Sequence, residues 1–370
     1  MIDEASRDWS DRGVNQSWRA ISGASMTARV KRIGSTARRA FLGLTLVTGV
    51  ALASAGSGRA EVADLTIAIQ YGLGYLPLMI AKNQGLIEKY AEAQGIGPVK
   101  VNWLVLNGGV AANDALLSGN AHIVSAGIAP LLTVWDKTRG GIGVKAISGL
   151  DSSAYWINSN NPNVRSIRDL SDKDRIAVPA VKVSINSVIL QIAAEKEFGP
   201  GHQYDFESLT TTLSPPDATA ALVSGKTEIT GHITSPTYGS QQLAYSNVHR
   251  ILNSRDVIGE ATLVLSYATQ TFYDENPKLT AAVVKALGDG FALIKHDKAE
   301  AARIYLAEER SKLTQDEVVA LLNNPDISYS QVPHNTGVIA DFMHRVGSIK
   351  NKPVSWKDYT FPLLHGETGS

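Results

Sequence analysis

One sixteen-residue segment recurs in register, without a gap, 106 residues further along the chain. Residues 115–130 read ALLSGNAHIVSAGIAP and residues 221–236 read ALVSGKTEITGHITSP, with six identical positions. In each copy a helix is predicted to end at Ser-Gly, and a short strand then leads into a proline-bearing loop. This spacing is too long for a solenoid and suits two similar lobes. The repeat therefore predicts two α/β lobes that face each other across a ligand-binding cleft. The alternative is a chance match between two common helix ends.

The first sixty residues have the pattern of an export signal. Between Arg12 and Ala60 there are eight Lys or Arg residues and no Asp or Glu. An apolar stretch at 40–55 precedes the small-residue exit Gly58-Arg59-Ala60. These features are typical of a secretory signal peptide. The apolar stretch is short for a membrane span, which needs about twenty residues, so an uncleaved anchor is the lesser alternative.

Several details of this signal stay open. Cleavage is expected after either Ala55 or Ala60. Arg38-Arg39 resembles the twin-arginine export signal, but paired arginines also occur in general secretory signals. Translation begins at Met1 or at Met26. We therefore assign residues 1–60 to a signal peptide with a polar N-terminal extension and expect the mature protein in the periplasm.

Charge and cysteine content restrict the partners. Residues 61–370 contain 26 basic and 31 acidic residues, a net charge of about −5. A mildly acidic surface opposes nucleic-acid binding, which requires a basic stripe. The chain has no cysteine, which excludes disulfides, thiol nucleophiles, thiolate metal sites and a lipidated N-terminal cysteine. We expect a free, soluble monomer.

Hydrophobic patterns beyond residue 60 alternate between strands and helices, which predicts parallel sheets with helices on both faces. The first lobe begins with a strand at 65–69 and a helix at 76–93. A strand at 261–267 is predicted to return the chain to this lobe. Crossings near Ala154 and Gly259 divide the chain into a discontinuous first lobe, 61–153 plus 260–370, and a second lobe, 154–259.

Signatures of catalysis and cofactors are weak. Gly72-x-Gly74 follows a strand, but Pro77 occupies the position of the third glycine of a dinucleotide fingerprint. Gly225-Lys226-Thr227 imitates the end of a phosphate loop, but Ala220 replaces the required glycine. No metal-binding histidine pair and no Gly-x-Ser-x-Gly motif occurs. We expect no cofactor, no metal and no catalytic residues.

One segment carries a family resemblance. Residues 67–90 read IAIQYGLGYLPLMIAKNQGLIEKY, with an aromatic–glycine loop, then Pro-Leu-x-x-Ala, then Gly-Leu-Ile-Glu. This segment resembles the opening of the nitrate/sulfonate/taurine-type solute-binding proteins of ABC importers. Residues 108–119, residues 125–130 and Asn276-Pro277 extend the resemblance.

The resemblance implies a type II periplasmic-binding-protein clamshell, with each lobe a mainly parallel sheet flanked by helices. It also implies capture of a sulfonate, taurine, nitrate, carboxylate or polar aromatic solute, and delivery to permease and ATPase subunits at the inner membrane. The loops that it assigns to the cleft contain Tyr71, Gly72, Tyr75, Asn107, Gly108, Gly109, Ala126, Gly127, Ile128, Lys182, Val183, Ser184, Ser214, Thr234 and Ser235. His232 and Tyr238 are further polar or aromatic candidates.

The alternative function is an enzyme or a ligand sensor on the same fold. Enzymes that resemble this family include thiamine-pyrimidine synthases, which have a cysteine-rich motif, and a desulfinase, which uses a cysteine nucleophile. The absence of cysteine makes both enzyme classes the weaker interpretation.

Overall fold

The computed structural model describes residues 60–309 and 311–370. The predicted signal segment lies outside them, apart from Ala60. Ten strands form two sheets: β1 (Asp64–Ile69), β2 (Lys100–Val105), β3 (Ile123–Gly127), β4 (Val144–Asp151), β5 (Trp156–Ser159), β6 (Ile176–Val178), β7 (Thr210–Thr212), β8 (Gly231–Thr234), β9 (His249–Asn253) and β10 (Val264–Thr269).

The two sheets have the same topology. Their strand orders are β2-β1-β3-β10-β4 and β7-β6-β8-β5-β9. β10 runs antiparallel to both of its neighbours, as β5 does in the other sheet, and the remaining strands of each sheet run in one direction. The predicted fold class is confirmed: each lobe is a mainly parallel sheet flanked by helices.

The repeated segment lies at equivalent positions in the two lobes. Residues 115–130 contain β3 and residues 221–236 contain β8, and each of these strands is the central strand of its sheet. The residues that repeat are therefore the end of a helix, the central strand and the start of the following helix. Two lobes with the same strand order are the architecture that the repeat predicted.

Thirteen α-helices cover the sheets in the described part of the chain. They are α1 (Leu76–Asn83), α2 (Leu86–Ala93), α3 (Gly109–Leu117), α4 (Ile128–Thr138), α5 (Ile185–Phe198), α6 (Pro215–Ser224), α7 (Pro236–Leu243), α8 (Arg255–Ile258), α9 (Gln270–Glu275), α10 (Pro277–His296), α11 (Lys298–Glu309), α12 (Gln315–Leu322) and α13 (Gly337–Arg345). None of the helices within residues 60–309 and 311–370 has both the length and the apolar character needed to cross a bilayer.

The helix predicted over residues 76–93 is two helices. Gly85 adopts φ 59°, in the left-handed region, between α1 and α2. Glycine enters that region without the steric cost of a Cβ atom, so the chain turns there. The turn allows Leu86, Ile87 and Ala91 to join the buried core of the first lobe.

Strand β5 was not predicted. It is only four residues long, yet it lies between β8 and β9 and all four residues are buried. The hydrophobic pattern also predicts a strand at 228–231, whereas β8 begins at Gly231. Short strands give too few alternating residues to fix a register.

A third chain segment runs beside the crossings between the lobes. The N–H groups of Gly149, Ser152 and Ala154 donate to the carbonyls of Gln331, Ser328 and Asp326 at 2.7, 2.8 and 2.7 Å. These bonds fasten the end of β4 and the first crossing to the chain that follows α12. Backbone hydrogen bonds to this third segment therefore stabilise the first crossing between the sheets.

Candidate functional site

The carboxyl ends of strands from both sheets meet at a partly enclosed cavity of about 50 Å³. Helices begin at the same places, so the amino-terminal turns of α3 and α4 in the first lobe face those of α5, α6 and α7 in the second. The cavity is lined by Gln70, Tyr71, Gly74, Tyr75, Gly109, Gly127, Pro130, Asp151, Tyr155, Pro179, Ser184, Ile185, Asn186, Pro215, Thr234, Ser235, Tyr238 and Val264. Ligands of open α/β sheets bind in this position.

Seven of the residues expected from the sequence line this cavity. They are Tyr71, Tyr75, Gly109, Gly127, Ser184, Thr234 and Ser235. They come from three loops of the first lobe and two of the second. The structure thus brings together residues that are up to 164 positions apart in the chain.

The loop after β1 is fixed from both lobes. Gly72 has φ 98°, and its N–H donates to both carboxylate oxygens of Glu309 at 2.8 Å. The next N–H, that of Leu73, donates to the hydroxyl of Thr237 in the second lobe at 3.1 Å. The hydroxyl of Tyr329 donates to the Leu73 carbonyl at 3.0 Å. Gly72 therefore lies beside the cavity and connects it to Glu309.

In the second lobe, two serine hydroxyls accept hydrogen bonds from amides in the first turns of α5 and α6. The Ser184 hydroxyl accepts from the Ser187 N–H at the start of α5, and Ser214 caps α6 by accepting from the Asp217 N–H. The earlier amides of a helix have no intrahelical partner and carry the positive end of its dipole. These amides can donate to the acceptor groups of a bound molecule.

Among the described residues, Asp151 has the one charged side chain that lines the cavity. It ends β4 and is 1% exposed. Burial raises the pKa of its carboxyl to about 6, although hydrogen bonds from Ser153 and the more distant Arg255 act in the opposite direction. Its Oδ1 accepts hydrogen bonds from the N–H and the hydroxyl of Ser153.

Aromatic side chains close the remaining walls. The hydroxyl of Tyr238, from α7, donates to Glu309 Oε1 at 2.6 Å and joins the second lobe to α11. Burial raises the pKa of Glu309, against the hydrogen bonds from Tyr238, Gly72 and Tyr305. Burial also raises the pKa of Tyr75, whose hydroxyl therefore stays neutral. Among the described residues, the cavity walls thus combine several phenols with one carboxylate, that of Asp151.

Several of the other expected residues lie near the cavity without lining it. Gly108 approaches Pro179 across the cleft, and a methyl group on it would lie 3.3 Å from the Pro179 carbonyl. Ser214 immediately precedes the lining residue Pro215. Asn107 is exposed, whereas Ala126 and Ile128 are buried in the core of the first lobe.

Lys182 and Val183 lie on the loop before α5 but away from the cavity. The Lys182 ammonium forms an ion pair with Glu207 at 2.8 Å, and this contact raises its pKa. Val183 is 38% exposed. The candidate His232 is buried inside the second lobe, where its Nδ1 contacts Gln242, and burial lowers its pKa to about 3.

The sequence interpretation missed Asp151, Tyr155, Asn186 and Glu309. Asn186 Nδ2 donates to the Ile233 carbonyl at 2.7 Å, next to the cavity. A polar residue that ends an apolar strand is the signal that could have identified Asp151. No comparable signal marks Glu309, which reaches the first loop from a helix 237 residues away.

A larger, open groove of about 880 Å³ lies next to this cavity. It runs between α6 and α7 of the second lobe and α11 and α12, and it shares Tyr71 and Tyr238 with the cavity. Among residues 60–309 and 311–370, no group of three or more His, Asp or Glu side chains is arranged to hold a metal ion.

Comparison with solved structures places the fold among the periplasmic binding proteins. The ligand-binding component of an ABC-type import system from Staphylococcus aureus, solved with zinc bound, has a TM-score of 0.62 and 18% identity and covers 83% of this chain and 99% of its own. The periplasmic aliphatic sulphonate binding protein SsuA from Escherichia coli has a TM-score of 0.60 and 19% identity, with coverages of 81% and 92%. The periplasmic nitrate-binding protein NrtA from Synechocystis has a TM-score of 0.61 and 15% identity, with coverages of 81% and 84%.

These neighbours confirm the resemblance that residues 67–90 indicated. At such identities the likeness establishes the fold. No protein-family model matches the chain, and no curated protein matches it significantly.

Proposed function

We propose that this chain is the exported solute-binding component of an ABC importer. One observation carries the proposal: the partly enclosed cavity is lined by helix amino termini and loops from both lobes. A ligand can drive closure only through contacts that are stronger in the closed form. A site divided between two lobes supplies such contacts. The bound solute would then be released to permease and ATPase subunits at the inner membrane.

The proposal includes no chemical turnover. Among the described residues that line the cavity, Asp151 is the one acid, and no histidine, lysine or arginine accompanies it. A general acid–base mechanism needs groups that exchange protons with the substrate. The lining supports binding by hydrogen bonds and aromatic contacts rather than catalysis.

The size of the cavity bears on how a solute enters. A cavity needs at least about 10–15 Å³, measured with a water-sized probe, to hold one water molecule, so a cavity of 50 Å³ is small for an organic solute. The Leu73–Thr237 and Tyr238–Glu309 hydrogen bonds close the site from both lobes. We therefore expect these bonds to break when the lobes separate to admit a solute.

A thermal-shift screen tests this function. The screen would include sulfonates, nitrate, carboxylates, amino acids, amines and heteroaromatic bases, and each compound that raises the Tm would then be incubated with the protein and analysed for products. A solute at 100 times its Kd stabilises the folded state by about 2.7 kcal/mol. We expect at least one class to raise the Tm and to be recovered unchanged. Steady conversion of the stabilising compound, or no stabilisation by any class, contradicts the proposal.

A further inference from the structure

Asp151 has an unused hydrogen-bonding oxygen inside the cavity. Its Oδ1 is occupied by Ser153. Within the described part of the chain, no N–H or O–H group donates to its Oδ2. This oxygen faces Gly74, where an added methyl group would lie 3.1 Å from it. A glycine at that position therefore keeps the space in front of Oδ2 open.

Among the described residues, no basic side chain lines the cavity beside this carboxylate: the lining includes no Lys, Arg or His. Arg255 influences Asp151 only at a distance and makes its own contacts with Glu260 and Ser328. A buried carboxylate without a close cation or a full set of donors is costly. A ligand that supplies a positive charge or N–H donors at Oδ2 would remove that cost.

The aromatic residues beside Asp151 suit the same ligand. Tyr75 and Tyr155 line the cavity together with Asp151. Burial raises the pKa of both phenols, and the negative charge of Asp151 acts in the same direction. Aromatic faces attract cations and delocalised nitrogen groups. A carboxylate between phenols is therefore a suitable site for a protonated nitrogen and an unfavourable one for a simple anion.

We infer that the cavity selects a small ligand with a protonated amine or amidine that binds Asp151 Oδ2, and that it discriminates against nitrogen-free anions. The inference rests on the proposed function. Acceptor groups elsewhere on the ligand would meet the free amides at the starts of α3 and α5. Asp151 thus determines specificity by charge.

Matched pairs of probes test the inference on the unaltered protein. The pairs are taurine and ethanesulfonate, β-alanine and propionate, and benzamidine and benzoate; in each pair only the first compound has a protonated nitrogen. Calorimetry and thermal shift would be measured near neutral pH. We expect the nitrogen-containing member of at least one pair to bind roughly ten- to hundredfold more tightly, as is usual for a hydrogen bond to a charged group.

Two isosteric variants identify the residue responsible. Asp151→Asn retains the Oδ1 acceptor but removes the charge, and we expect it to abolish most of the preference within the pair. Asp174→Asn is the matched control, because Asp174 is also 1% exposed but lies in the second lobe with Asn161, Ser171 and Thr230 as donors. We expect Asp174→Asn to retain the preference.

The outcomes separate this inference from the proposed function. Equal or tighter binding of the nitrogen-free members, or an unchanged preference in Asp151→Asn, overturns the inference and leaves solute capture intact. No binding by any of the six probes also contradicts the inference. Solute capture itself fails only if the wider screen finds no stabilising compound.

Discussion

At the scale of single residues, the carboxyl of Asp151 links stability to pH. Burial raises its pKa to about 6, against the hydrogen bonds from Ser153 and the charge of Arg255. The other titratable groups that face it are phenols: Tyr75, Tyr155 and Tyr329. Because the folded-state pKa lies above the unfolded value, this group favours the folded state most at low pH and loses that contribution as pH rises through about 6.

Asp151→Asn should therefore stabilise the ligand-free protein above pH 6. A pKa raised to about 6 corresponds to a stability gain of roughly 1–3 kcal/mol for the uncharged variant, and this gain should disappear as pH falls towards 4. Thermal or urea unfolding at several pH values measures it. A variant that is less stable than the wild type at pH 8 would show that the charged form of Asp151 is well accommodated.

Asp174→Asn is a control for which we expect the opposite change in stability at neutral pH. Burial raises the pKa of Asp174, but hydrogen bonds from Asn161, Ser171 and Thr230 outweigh this effect and lower it. A lowered pKa contributes stability at neutral pH that is lost as pH falls. Asp174→Asn should therefore be less stable than the wild type at neutral pH, as measured in the same unfolding experiments.

The cleft residues that sequence analysis named came from the family resemblance. Four of those that line the cavity, Gly109, Gly127, Ser184 and Ser235, lie where a helix begins, and helix starts are features that a sequence can show through capping residues and hydrophobic periodicity. Asp151 depends instead on tertiary structure. Its role arises because Gly74 from another loop leaves room in front of its carboxylate, and local patterns contain no information about that contact.

At the scale of elements, Gly127 and Ile185 form a close contact between the two lobes, and we expect the proposed closure to require it. Gly127 ends β3 in the first lobe and Ile185 begins α5 in the second. A Cβ atom on Gly127 would lie 2.7 Å from Ile185 Cγ2. The backbone of Gly127, with φ −60° and ψ 154°, is allowed for any residue. Alanine would thus fit the first lobe but obstruct the closed form.

Gly127→Ala should weaken solute binding without unfolding the protein. Overpacking of this kind costs about 1–3 kcal/mol, which corresponds to roughly a five- to 150-fold loss of affinity. Calorimetry with a solute from the screen measures this loss. The double variant Gly127→Ala/Ile185→Ala should recover much of the affinity, because it restores the space. Normal binding by Gly127→Ala would show that this contact does not limit closure.

Element types were more predictable than their ends. The alternation of strands and helices was sufficient to predict mainly parallel sheets, because parallel strands require crossovers. The break at Gly85 was not predicted, since the apolar pattern continues through it from α1 into α2. Strand β5 was not predicted either, because its four residues are too few to show a strand pattern. It forms a strand because it pairs with β8 and β9.

At the scale of the whole molecule, the chain is predicted to be exported and processed. Cleavage after Ala60 would leave Glu61 at the mature amino terminus. In the structure Glu61 accepts from the N–H groups of Lys278 and Leu279 at 3.0 and 2.7 Å. A carboxylate at the start of α10 stabilises that helix. Cleavage after Ala60 would keep Glu61 in the mature protein, and with it these two hydrogen bonds to α10.

N-terminal sequencing of the exported protein should return Glu61 or a nearby residue. Recovery of an intact Met1 or Met26 would contradict the signal assignment. Replacement of Arg38 and Arg39 by Lys should block export if the twin-arginine route is used. Normal export of that double variant would assign the protein to the general secretory route.

The distance between the lobes tests the central claim of solute capture by closure. Since the chain has no cysteine, cysteines introduced at exposed Asn120 and Lys226, in the equivalent turns of the two lobes, would carry spin labels. Pulsed distance measurements would be made with and without a solute that raises the Tm, and in Gly127→Ala as the control. We expect a broad distribution at longer distance without solute and a narrower one at shorter distance with it. An unchanged distance distribution with the solute bound would contradict it.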